Sequence, residues 1–268
     1  MAPRQPDGLR VVPFFDGFYQ NEDGSTTFSF GYSNPNREEV LEIPIGPDNF
    51  IEPKEFNGPQ PTSFFPVIPD SPDGAPPASG RRDRERGVFT VTVPPGFKGD
   101  VVWTLRNRGQ AFSVPGRSRT GAYQLRWPMA MGSQPPLLRF KADGPAGRGP
   151  RGINGDPLQA SVGQPLTLTI FVNDDSKREV DPTPVKERGP ARPALSVAWF
   201  KHVGPGPVEF SKAKDGLKEL QGSFTTTATF KQPGDYVIRG RVDNFGRVDT
   251  SAGNQCCWTN GYVKVSVK

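Results

Sequence analysis

The stretch KQPGDYVIRGRVDNFG, residues 231–246, sets a Pro-Gly turn before a run of alternating apolar and polar residues, and a second turn closes it. Such alternation places Tyr236, Ile238, Gly240 and Val242 on one face of a strand, and Val237, Arg239, Arg241 and Asp243 on the other. A helix would scatter these residues around its circumference. The stretch is therefore framework, one strand of a sheet, and the remaining sequence can be read outward from it.

Composition supports the same reading. The 268 residues include 31 Gly and 31 Pro, only 34% are apolar, and 19 are Phe. Long helices tolerate neither Gly nor Pro, whereas a disordered chain would not carry so many aromatic rings. Many short strands joined by turns fit all three facts, so the expected class is all-β, and the length suits two sandwich domains with long Pro/Gly-rich loops. Expected strands are Thr26–Tyr32 (half-buried), Val88–Val93, Asp100–Leu105, Gln110–Val114, Ala122–Trp127, Leu166–Val172, Ala194–Lys201, Ser223–Phe230 and Gly261–Val267. Phe210–Leu220 is the single helical candidate, interrupted by Gly216. Residues 57–80 hold seven prolines and read as a long loop, tucked down by Phe64 and Phe65. The Gly/Pro-rich stretch 143–155 reads as a linker, which gives an N-terminal domain over 1–142 and a second over 156–268.

Charge is uneven along the chain. The net charge is +5, yet Val101 to Ala142 has no acidic residue and carries Arg106, Arg108, Arg117, Arg119, Arg126, Arg139 and Lys141. Asp16 to Glu55 holds nine acidic residues against Arg37 and Lys54. Two outcomes are open: strand pairing interleaves the blocks and cancels them, or the basic segment forms a face for anionic partners. With Phe112 and Tyr123 nearby the arginines also suit stacked single-stranded nucleic acid, but no nucleic-acid-binding motif accompanies them, and lipid head groups or acidic proteins suit them equally.

Catalytic constellations are sparse. His202 is the one histidine, placed at a strand end running into a turn, and it reads as a surface residue rather than a general base. There is no phosphate-binding loop, Cys-x-x-Cys pair or metal-ligand spacing. Asp174-Asp175, and Asp243 with Asp249, are carboxylate pairs of the kind that loops lend to calcium, though turn-making is their ordinary role. Cys256 and Cys257 are adjacent and cannot staple distant strands; a vicinal disulfide, a bond to another chain and two buried thiols all fit them. No apolar run nears the ~18–20 residues that span a bilayer, and MAPRQPDGLR lacks the pattern of an export signal. No cofactor and no enzymatic activity are expected.

The second half, residues 156–268, has about seven strands at the spacing of an immunoglobulin-like sandwich and resembles PKD and immunoglobulin-like modules through its Pro-Gly-x-Tyr turn. That resemblance implies that Trp199 is the buried tryptophan of the third strand and Tyr236 a corner tyrosine. In the first half, Trp103 reads from its place in the strand Asp100–Leu105 as the large apolar anchor. The antibody-type cysteine pair is missing. The first half carries VVPFFDGFYQNEDGSTTFSFGYSNPNREEVLEIPIGPDNFIEP, residues 11–53. It is similar to uncharacterised exported bacterial proteins sharing the Phe-Phe-Asp-Gly opening, the Gly-Tyr-Ser-Asn strand and the Gly-Pro-x-Asn-Phe turn. A narrower resemblance is to membrane-extrinsic subunits of bacterial photosynthetic reaction-centre and light-harvesting complexes. What it implies is a non-enzymatic structural subunit, periplasmic or otherwise extrinsic to the membrane, that docks on integral-membrane subunits and touches anionic lipid head groups. Arg106, Arg108, Arg117, Arg119, Arg126, Phe64 and Phe65 are its expected contact residues. The alternative is a carbohydrate- or envelope-binding module, which would need an exposed row of aromatics; Phe14, Phe15, Phe18 and Tyr19 are the nearest candidates, but they read as core and turn-packing residues.

Overall fold

A computed structural model describes residues 8–67, 84–125, 134–177, 193–244 and 258–268. The chain divides into two compact units, Met1–Leu125 and Arg126–Lys268, and both are built from strands.

In the first unit, β1 (Val12–Gln20), β2 (Thr26–Ser33) and β6 (Glu85–Val93) form one antiparallel sheet in the order β1-β2-β6. A second sheet runs β4 (Asn49–Glu52), β7 (Val101–Asn107), β8 (Gln110–Gly116). A small pair joins β3 (Leu41–Glu42) to β5 (Ser63–Phe64). Phe30 of β2 stacks on Phe89 of β6 with centroids 5.2 Å apart, and Trp103 of β7 meets Phe89 edge-on at 4.9 Å. Phe30 and Phe89 are cross-strand partners in one sheet and Trp103 meets them from the other, in offset-stacked and edge-on arrangements favoured by the aromatic quadrupole. β2 departs from the half-buried expectation: Thr27 and Ser29 are as buried as Phe28 and Phe30. Its hydroxyl face is bonded only in part: Thr27 is bonded to Thr92 at 3.0 Å and to the Asn21 amide at 2.9 Å, while the buried Ser29 hydroxyl has no partner.

Proline offers no N–H, and irregular connections ladder little with neighbours, so many of their backbone groups need other partners. Asparagine amides provide them. Asn49, fully buried, donates to the carbonyls of Ile43 (2.9 Å) and Pro61 (2.7 Å) and accepts from the Trp103 indole (3.0 Å). Asn34 likewise donates to Glu39 and Phe64 carbonyls at 2.9 and 2.8 Å. Leu9 and Val11, ahead of β1, are each gripped at both amide and carbonyl by one side chain, Asn36 and Asn107 respectively. A primary amide has a donor and an acceptor side by side, so it stands in for a strand partner.

The second unit is a two-sheet sandwich. One sheet runs β14 (Val208–Phe210), β16 (Gln221–Phe230), β12 (Pro165–Asn173), β9 (Leu137–Arg139). The other runs β10 (Ile153–Asn154), β18 (Trp258–Val267), β17 (Gly234–Asp243), β13 (Leu195–Val203), β15 (Lys214–Leu217), and β11 (Leu158–Ala160) also pairs with β18. The first strands thus serve both sheets: β9 pairs antiparallel with β12, whereas β10 and β11 run parallel to β18.

Stretch 143–155 is no linker but part of this unit: Gly147 exchanges two backbone hydrogen bonds with Leu138, and Ile153 pairs with Gly261. Its Gly/Pro composition reads as a connector, but its backbone is taken up at the sheet edges, and the boundary moves from 142 to 125. Nor is Phe210–Leu220 helical; it holds the end of β14 and all of β15. Ala122–Trp127 is not a strand over its described part: Gly121–Tyr123 form a 3₁₀ turn capped by the Thr120 hydroxyl. The described part of the 57–80 loop includes β5.

Trp199 is buried against Gly240, its cross-strand partner. A Cβ at Gly240 would stand 3.1 Å from the indole, so the glycine in the opening motif is where the ring lies flat. The Tyr236 hydroxyl donates to the Gln232 carbonyl at 2.9 Å while its ring meets Phe230 at 4.8 Å. Tyr236→Phe is expected to lower unfolding free energy by about 0.5–1.5 kcal/mol, one hydrogen bond; an unchanged urea midpoint would remove the corner bond from the account. Asn49→Ala strands two carbonyls and an indole N–H in the core. At ~1–3 kcal/mol for each such group the loss should exceed about 3 kcal/mol in a urea melt, well beyond that of Tyr236→Phe.

Candidate docking surface

The expected contact residues have different fates. Phe64 is in the core, fully buried, edge-on to Tyr32 at 5.0 Å and stacked near Trp103 at 6.3 Å, so it touches no partner. Phe65 is half-buried, and its backbone N–H donates to the Tyr32 hydroxyl at 3.1 Å. The described part of the loop, 57–67, is held down by one ring and one amide. Trp103 is the buried anchor of this unit.

Arg106 is pinned: its guanidinium donates to the Pro47 carbonyl at 2.6 Å and lies 5.3 Å above the Phe50 ring. Arg108 sits in the β7–β8 turn at φ 51°, followed by Gly109 at φ 73°. Two successive left-handed residues make the hairpin turn that matches strand twist, and a non-glycine there is uncommon. Its guanidinium pairs with Glu39, whose other oxygen accepts from the Gly8 amide. Arg117 and Arg119 converge on one carboxylate, Asp100, at 2.8 and 2.9 Å. Arg126 lies outside the described residues.

The basic block is therefore largely interleaved with acids and carbonyls, as one of the two outcomes foresaw. What remains is local. Two arginines share one acid, leaving one net positive charge, and the Arg119 side chain is 63% exposed. A few residues on, Tyr123 is 51% exposed, with its ring 5.8 Å from Phe15.

A bulge in β1 positions this segment. The β1–β2 register shifts between Phe15 and Gly17. The Leu125 amide donates to the Phe18 carbonyl at 2.7 Å, so residues 123–125 lie along the bulged strand. A Cβ on Gly17 would come within 2.4 Å of the Tyr123 carbonyl, and φ is +143° there, so glycine is required on both counts. Asp16, the bulged residue, turns inward. Its Oδ2 accepts from the Gly87 amide at 2.8 Å; Oδ1 has no partner, and the side chain is buried. Burial pushes its carboxyl up to about 7, against the pull of the Gly87 amide, Arg86 and Arg84.

The four aromatics offered as a ligand row do not form one. Phe18 is buried, Phe15 packs on Phe28 and Phe30 at 5.9 and 5.6 Å, and Phe14 is covered by the Arg84 guanidinium at 3.7 Å. His202 is not on the surface but buried, edge-on to Tyr262 at 5.3 Å, at a bulge between Lys201 and Val203. Burial pushes the Tyr262 hydroxyl up to about 12. Asp175 is held by Arg148 through two bonds of 2.9 and 2.8 Å, and that hydrogen bonding lowers its carboxyl below the usual range. Asp174 accepts from Ser176 and from the Asn244 amide, and Asp243 lies 3.5 Å from Arg241. These carboxylates are spent on protein donors, and no group of three metal-ligating side chains occurs among the described residues. Asp249, Cys256 and Cys257 lie outside the described residues. The sequence reading missed Asp16 and the role of Tyr123 in this segment; the Asp-Gly pair inside an apolar run is the textual sign of the bulge.

No family model matches this chain, and no curated protein does. Among solved structures it is similar to domains 4 and 5 of the S-layer protein SbsC, with 14% identity, TM-score 0.25, and 65% of this chain and 68% of that one covered. It is also similar to the D0-D1 domain of intimin (13%, 0.24, 96% and 100%) and to a titin A168169 structure (10%, 0.22, 96% and 99%).

The Asp16 carboxyl gives the first unit a pH dependence with a definite sign. The fold favours its protonated form, so the associated stability is complete below the unfolded value near 3.8 and is lost as pH rises toward 7. Asp16→Asn cannot titrate. Its melting temperature relative to the native chain should therefore climb between pH 4 and pH 8; calorimetry showing a constant difference would place the charge elsewhere.

Proposed function

We propose that the chain is a non-enzymatic, membrane-extrinsic structural subunit that docks on an integral-membrane protein complex, with anionic lipid head groups as a secondary contact. The arrangement over 117–123 supports this reading: an exposed arginine with a shared counter-ion and an exposed tyrosine ring lie on a segment braced against β1. Arginine and tyrosine are the residues most enriched at binding hot spots, and a braced segment loses little freedom when it docks. The edge strand β8 leads into it with Gln110, Ala111 and Ser113 exposed.

The finer identity, a subunit of a photosynthetic reaction-centre and light-harvesting assembly, rests on the resemblance carried by residues 11–53. No cofactor enters the role, and nucleic acid is not among the partners. A periplasmic placement belongs to the same proposal. No helix among the described residues is long and apolar enough to cross a membrane.

The test uses native membranes extracted gently in detergent and resolved on a native gel, comparing the full chain with Arg119→Ala/Tyr123→Ser. Co-migration of the native chain with a large integral-membrane complex is expected. The double variant should be retained about tenfold less, a loss of about 1.4 kcal/mol, with its melting temperature nearly unchanged because both side chains are exposed. Equal retention of the two chains, or recovery of the native chain as a free monomer at low salt, would overturn the reading.

A further inference from the structure

The outer face of the β14-β16-β12-β9 sheet has an unusual composition. β12 and β16 pair over nine residues, from Pro165↔Thr229 to Asn173↔Gln221. Their inward residues, including Leu168, Ile170, Val172, Phe224 and Ala228, fill the core. Their outward residues include Thr167, Thr169 and Phe171 on one strand and Thr227, Thr225 and Ser223 opposite, in register. None of these positions, nor Pro165, Asn173, Gln221 and Thr229 at the ends, bears a charge, in a chain that is 23% charged overall. Charge appears at the flanks: Glu209 of β14, tied to Lys231 at 2.8 Å, Arg139 of β9, opposite Phe171, and the Lys141–Asp156 ion pair at 2.7 Å, which lines a pocket with Thr167 and Thr169.

The face is open to solvent. Thr167, Ser223, Thr225 and Gln221 are exposed, and Phe171, half-buried, is not part of the core cluster. Thr169 and Thr225 hydroxyls bond across the strands at 3.0 Å.

We propose that this face binds a neutral polysaccharide, independently of the docking surface on the first unit. A sugar chain presents C–H faces and hydroxyls together, and the sheet offers one aromatic plane among hydroxyls and terminal amides, which match both. Threonine is stiff at χ1, so fixing these hydroxyls on a ligand costs little rotamer entropy. Nucleic acid needs cations along its track, and a protein partner draws on several large anchors; the two central strands offer neither. Charge complementarity selects an uncharged ligand, and a strand pair of this length spans about 30 Å, room for several sugar rings in line.

The experiment is depletion of the full chain from solution by microcrystalline cellulose and by chitin, together with its retardation in gels cast with xylan. At least one of these neutral glycans should retain the chain, and 0.5 M salt should not release it, since no ion pairs are screened. Thr225→Lys, at an exposed position, should cut retention about tenfold with an unchanged melting temperature. Phe171→Ala should do the same, and Thr225→Lys keeps the test sound if that variant folds poorly. The proposal fails if none of the three glycans retains the chain, if salt releases it, or if Thr225→Lys binds as the native chain does. It also fails if sedimentation shows a self-associated species that Thr225→Lys dissolves, which would give the face to a second copy.

Discussion

The hydrogen bond from the Trp103 indole to the Asn49 side chain is the point at which the first unit is tied together. Trp103 brings the aromatic core with it, since Phe30, Phe64 and Phe89 all lie against its ring. Asn49 brings the loops, because its amide nitrogen holds the Ile43 and Pro61 carbonyls. A buried polar group is stable only when satisfied, and here a single amide closes three such debts with one side chain. The Gly- and Pro-rich text between the strands can then cross the interior without losing backbone hydrogen bonds.

The two units answer the same demand differently. The first leans on the buried asparagines Asn34, Asn36 and Asn49 and the half-buried Asn107, because its sheets are short and its connections irregular. The second has longer paired strands, nine residues for β12 with β16 and ten for β17 with β18. It adds side-chain bonds of its own, from Asn244 to the Gln134 carbonyl, from Asn260 to the Pro150 carbonyl and from Tyr236 to the Gln232 carbonyl, and early strands that serve both sheets. Both units place rings such as Trp103 and Tyr236 inward. Exposed Tyr123 lies near the arginine pair on Asp100, whereas half-buried Phe171 stands between the Ser223 position and Arg139.

Electrostatics follows from pairing rather than from composition. The acid-free stretch from Val101 suggests a strongly basic face, but Glu39 and Asp100 come to Arg108, Arg117 and Arg119 once the strands are formed. Asp16 shows the reverse. It is written among acids in the sequence and in the fold is withdrawn from water, where its charge is disfavoured.

The sequence by itself determined the all-β class and most of the strands, since period-two alternation is local and survives without tertiary context. It also determined Tyr236 and Trp199 as packing residues, because their turn and strand motifs are short. It did not determine where the units divide: the Gly/Pro text of 143–155 is what a linker and a sheet-edge crossover have in common. Nor could it separate Phe64, in the core, from Phe65, half-buried beside it, as a one-residue register decides which ring turns inward. Only the tertiary structure buried His202, paired the arginines, aimed Asp16 at Gly87 and set two threonine-rich strands side by side with no charge between them. Each of these depends on residues far apart in the chain meeting across a strand, and no local pattern records such a meeting.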